Sequence, residues 1–104
     1  MTKMYRQGDV LLVAVAEAPE GVRQPGEQGR LILAHGEVTG HHHSVAMADA
    51  ELLDAGAKGV FLRIMSATPL VHQEHGAIIL PAGDYRIVRQ REYQPGELPR
   101  QVAD

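Results

Sequence analysis

Short apolar runs rich in β-branched residues, cut every eight to twelve positions by glycine and proline, constrain this chain more than any other feature. Asp9 to Val15 is almost wholly apolar and opens after Gly8, while Val60 to Met65 alternates Val60, Leu62 and Ile64 against Phe61, Arg63 and Met65. Runs this short suit strands rather than core helices. Further runs cover Arg30 to His35, Ser44 to Met47, Pro69 to His72, Ala77 to Leu80 and Asp84 to Tyr93. Evenly spaced short strands with turn signals between them predict a mainly β protein, a single small antiparallel β-barrel or β-roll with short loops over residues 1–104. Residues 19–30, with two prolines and three glycines, read as a surface loop. Residues 94–104 read as a loose C-terminal arm. Segment 48–57 has helix formers but is short, and the Gly56 to Gly59 turn favours a strand paired with Val60 to Met65. A hairpin with 36–40 as its loop places His35 across from His41.

At 104 residues the chain can bury about 65% of its unfolded surface without staples. It has no Cys, which removes disulfides, thiolate metal sites and a cysteine nucleophile, and leaves imidazole and carboxylate as ligand chemistry. The first nine residues hold no apolar signal-peptide core, and no run reaches the length of a membrane span, so a cytoplasmic protein without membrane contact is expected. The formal charge of -3 argues against a general nucleic-acid binder. Basic residues are nevertheless uneven, and Arg86, Arg89 and Arg91 with Tyr93 form a potential partner patch on the last strand. Exposed strand edges also make a homo-oligomer a partner to consider.

Three of the six histidines stand together in Gly36-Glu37-Val38-Thr39-Gly40-His41-His42-His43, and two more lie in His72-Gln73-Glu74-His75. Alternate strand residues share a face with attachment points about 7 Å apart. His41 and His43 can therefore close on one ion with metal–nitrogen bonds of about 2.0 to 2.1 Å, while His42 points away. His72 and His75 join them if residues 73–76 turn tightly. The predicted metal ligands are His41, His43, His72 and His75. His35, Glu37 and Glu74 are alternative or supporting ligands, and Glu37 and Glu74 are also the candidate catalytic carboxylates. Neutral imidazole with carboxylate suits Zn, Fe, Mn or Ni without choosing among them. Three protein ligands with an open position would lower the pKa of a bound water and favour hydrolysis of a small-molecule substrate. The competing expectation is a non-catalytic binding or assembly module of phage or mobile-element origin, with its His loop solvated and its Arg-rich last strand meeting a partner such as nucleic acid. Nucleophile-elbow and phosphate-loop templates are absent.

The series Gln7-Gly8-Asp9-Val10-Leu11-Leu12, Gly36-Glu37-Val38-Thr39-Gly40-His41-His42-His43, His72-Gln73-Glu74-His75, Leu80-Pro81-Ala82-Gly83-Asp84-Tyr85 and Gln90-Arg91-Glu92-Tyr93 resembles a family of small uncharacterised bacterial and phage proteins. That resemblance spans nearly the whole chain and implies no activity. His41-x-His43 and Pro81-x-Gly83 also resemble the two motifs of cupins, metal-binding β-barrels. Glu51 lies too far downstream for the first cupin motif, and no histidine follows Gly83. The cupin resemblance therefore implies a fold class and not a reaction.

Overall fold

The structure, a computed structural model, describes residues 3–35 and 40–89. Its strands are β1 Met4–Gln7, β2 Val10–Val15, β3 Val22–Arg23, β4 Arg30–His35, β5 His42–Ala46, β6 Ala50–Asp54, β7 Val60–Ile64, β8 Thr68–Leu70, β9 Ile78–Leu80 and β10 Gly83–Arg89. Two 3-10 turns, Met47–Asp49 and Gly56–Lys58, flank β6. Segment 48–57 thus contains the favoured strand, and β6 pairs β7 as a hairpin with Ala50 opposite Ile64 and Asp54 opposite Val60.

Six strands form one sheet in the order β1-β2-β10-β7-β6-β3. Its outer members β1 and β3 each pair on one side, with β2 and β6 respectively, so the sheet is open. Among the described residues the expected closure into a barrel is not found. Strand pairs β4-β5 and β8-β9 form separate hairpins and do not bridge the outer strands β1 and β3. Even the expected 19–30 loop is interrupted by two-residue β3 and a Glu27–Arg30 bridge. Among the described residues no helix is long and apolar enough to cross a membrane.

Strand alternation sorts the apolar side chains into two clusters. Val10, Leu12, Leu52, Leu62, Ile64 and Tyr85 from the sheet pack with Leu31, Ala34 and Val45 of the first hairpin and Leu70 and Leu80 of the second. On the opposite side Phe61 and Leu53 form a smaller cluster with Ala18. The hairpins therefore lie as a second layer over one face of the sheet, the usual way to bury a sheet's apolar side. Tyr85 fits this interior because its hydroxyl donates to the Pro81 carbonyl at 2.8 Å. Its ring meets Tyr5 edge to face at 5.8 Å, and burial raises its pKa.

Candidate metal centre

One backbone bridge explains how the two histidine stretches meet. The Ser44 N–H donates to the Val71 carbonyl at 3.0 Å and the Val71 N–H returns to the Ser44 carbonyl at 2.9 Å, joining the hairpins in antiparallel register. Stepping one residue outward from that pair in such a register brings His43 opposite His72. Their ring centroids are 4.3 Å apart. Nearby, His72 and His75 are separated by 4.6 Å, His41 and His72 by 5.8 Å, and His43 and His75 by 6.1 Å. His42 instead pairs its ring with His35 at 6.1 Å, while its N–H donates to Gln73 Oε1 at 2.8 Å. The structure therefore brings His41, His43, His72 and His75 together and leaves His35 and His42 outside the group.

The register within the first hairpin differs from the expected one. His35 lies opposite His42 and Ala34 opposite His43, after a bulge between Ile32 and Ala34. A bulge adds a residue to one strand and shifts every later pairing. His41 consequently sits just before β5 and not across from His35.

A buried amide orients His43. Gln7, 3% exposed, donates through Nε2 to the carbonyls of Leu70 and Gly76, both at 2.9 Å. Carbonyls only accept, so the Gln7 amide has one orientation, and its Oε1 faces His43 Nδ1 at 2.9 Å. Nδ1 must then be the protonated nitrogen of neutral His43, and Nε2 carries the lone pair. That Nε2 lies 3.6 Å from Asp9 Oδ1. His72 has the other tautomer, because its Nδ1 accepts the Glu74 N–H at 3.0 Å, which places the proton of the neutral ring on Nε2. Holding a metal through His72 Nε2 would cost that hydrogen bond.

Burial opposes charging these rings. His43 is 1% exposed, and burial, reinforced by His72, lowers its pKa to about 4 despite the opposing pull of Asp9. Burial, then His75 and His41, also lowers that of His72. His43 and His72 are thus poised as neutral imidazoles, the form that binds metals. His41 Nδ1 is a buried atom without a hydrogen bond, 3.5 Å from the carboxylate of exposed Glu74. Glu37 lies outside the described residues. Among the described residues, no group of three or more His, Asp or Glu side chains is placed to hold a metal ion.

The potential partner patch divides. Arg86 and Arg89 are three apart on β10 and point to opposite faces, and Arg86 is exposed. Arg89 binds Asp9 Oδ2 through Nη2 at 3.2 Å and donates to the His35 carbonyl at 3.0 Å. Arg91 and Tyr93, like the arm 94–104, are outside the described residues.

Gln7 and Asp9 are the residues near these rings that histidine spacing does not reveal. The available signal was alternation along β1, where Tyr5 and Gln7 share a face, so that a polar residue follows an aromatic one into the interior. Gly8 between Gln7 and Asp9 has φ +61°, and a Cβ there would come within 2.7 Å of His75 Nε2 and 3.3 Å of His43 Cε1. Glycine is thus required both by the turn and by the closeness of the rings.

No curated protein and no solved structure matches the chain. A family model covers residues 6–90, which include all four converging histidines together with Gln7 and Asp9, and the chain accordingly belongs to the family described as Domain of unknown function (DUF8820).

Proposed function

We propose that the imidazole group binds a divalent transition metal, with His41, His43, His72 and His75 as its pool of donors. The supporting observation is the convergence of four rings from two distant segments, with neighbouring centroids 4.3 to 6.1 Å apart. Rings gathered this closely offer several nitrogen lone pairs to a cation. His75 and Glu74 are exposed, so they are the side chains freest to rotate and complete a shell. Zn, Fe(II), Mn and Ni all suit this donor set. With one position left open, the metal would activate a bound water for hydrolysis, and Glu74, 3.5 Å from His41 Nδ1, is a carboxylate that could accept its proton. The alternative, a binding module meeting a partner through β10, has exposed Arg86 in its favour, but Arg89 is already committed to Asp9.

Elemental analysis of untagged protein tests the metal reading. A near-stoichiometric metal and a raised melting temperature on adding Zn, Mn, Ni or Fe(II) are expected. Less than about a tenth of an equivalent, with no thermal shift, refutes it. His41→Ala and His75→Ala should lower metal content, while His42→Ala should leave it unchanged. Equal effects from all three would refute the choice of donors.

A further inference from the structure

We propose that Asp9 is itself a metal ligand, its Oδ1 and His43 Nε2 forming the fixed half of the centre; this rests on the metal reading above and adds a carboxylate to it.

The argument begins with Gln7. Its two carbonyl acceptors, Leu70 and Gly76, fix the amide, the amide fixes the His43 tautomer, and the tautomer leaves a lone pair on Nε2. Facing that lone pair at 3.6 Å is a carboxylate oxygen, Asp9 Oδ1. Two acceptors with no proton between them do not hydrogen-bond, and the distance is too long for one in any case. It is close to the spacing of two ligands on one tetrahedral ion, since bonds of about 2.0 to 2.1 Å at the tetrahedral angle separate donors by about 3.4 Å. A cation between Asp9 and His43 meets both lone pairs.

The other oxygen of Asp9 faces Arg89. Arg89 approaches Oδ2 through Nη2 at 3.2 Å and Nε at 3.4 Å, which orients the carboxylate with Oδ1 toward His43. Orientation of a ligand by a partner behind it is how metal sites are commonly held. Gln7 plays the same part behind His43. Each fixed ligand thus has its own support, and both supports are part of the fold.

A third donor comes from His75. This exposed ring already lies against Gly8, next in sequence to Asp9, and the missing Cβ leaves room for its Nε2 to swing toward the Asp9–His43 pair. Two imidazoles and one carboxylate form a donor set for Zn, Fe(II) or Mn. His72, whose Nε2 bears the proton in the tautomer described, then acts as a hydrogen-bond donor beside the centre.

Zn²⁺ titration of metal-free wild type, Asp9→Asn and Arg89→Gln tests the assignment. Asp9→Asn should weaken Zn²⁺ by more than the roughly 10- to 100-fold that loss of an orienting partner can cost, with the metal-free melting temperature little changed. Arg89→Gln should weaken Zn²⁺ by less than Asp9→Asn does, because it removes only the partner that orients the carboxylate and not a ligand. With Co²⁺ as the probe, Asp9→Asn should also shift the visible absorption. If Asp9→Asn fails to fold, Asp9→Glu, which keeps the charge but displaces the oxygens, should show weakened binding instead. Wild-type affinity in the Asp9 variants overturns the ligand role and leaves an imidazole-only centre standing. Equal weakening by Asp9→Asn and Arg89→Gln also overturns it, since Asp9 would then act only through the ion pair. A wild type that binds neither Zn²⁺ nor Co²⁺ overturns the underlying metal reading and this assignment with it.

Discussion

Leu12, Leu62, Leu70 and Leu80 are fully buried where the hairpins cover the sheet, and His43 is buried almost as completely at the edge of the same interior. Around the leucines, strand pairing satisfies the backbone and the side chains ask only for close packing. Around His43, burial is accepted by a polar group because Gln7 supplies its partner, and Gln7 in turn depends on two carbonyls from the second hairpin. The apolar region tolerates substitutions of similar volume. The polar region depends on a chain of bonds in which loss of one member strands the others.

The comparison can be pressed hardest at Leu62. Leu62→Ala should cost about 3 to 4 kcal/mol in urea unfolding, through lost burial and the cavity left behind, with little change in metal affinity. Acid comes next. His43 has a pKa near 4 in the folded protein against 6.5 as the ordinary value, so the folded state resists a proton that the unfolded chain accepts. Its contribution is fully present above pH 6.5 and is lost as pH falls from there toward 4, roughly 3 kcal/mol in all. Metal-free wild type should therefore lose more stability over that range than His43→Asn, and parallel pH profiles would show that His43 is not the group responsible. His72 is shifted in the same direction and adds to the trend.

Gln7→Leu preserves volume but removes the partner of His43 Nδ1 and of two carbonyls, and should cost about 2 kcal/mol. Loss of hydrogen-exchange protection at the His43 ring proton would accompany it. A neutral result would mean that water replaces the amide easily, and the contrast between the two regions would weaken. Smallest of all should be Arg23→Ala. It breaks an ion pair with Glu51 whose arginine side chain is 71% exposed, and such pairs contribute under about 1 kcal/mol. A thermal scan should barely distinguish it from wild type.

The strands were readable because each carries its own apolar pattern and its own turn residues. Val60 to Met65 shows this, and so does β6, where the Gly56 to Gly59 turn resolved a segment that propensity left open. Closure was not readable, because it depends on whether β1 and β3 meet, and no local pattern records what lies beyond a sheet edge. Strand β1 itself was overlooked, since Met4–Gln7 mixes polar and apolar residues and is defined by pairing with β2. The grouping of His41 and His43 apart from His42 follows from alternation, but the pairing of His35 with His42 turns on a bulge that composition does not mark. Asp9 and Gln7 reach His43 through the order of strands in space, information that spacing along the chain lacks.

Gln7 reaches Gly76 across 69 positions. A chain still being synthesised carries His41 to His43 well before it carries the carbonyls that hold Gln7 in place. During that interval the early histidines behave as they would in a flexible peptide, with no tautomer chosen. The hydrogen bonds that fix the His43 tautomer form only when the second hairpin arrives, so a later-made part of the core decides how an earlier-made ring is presented.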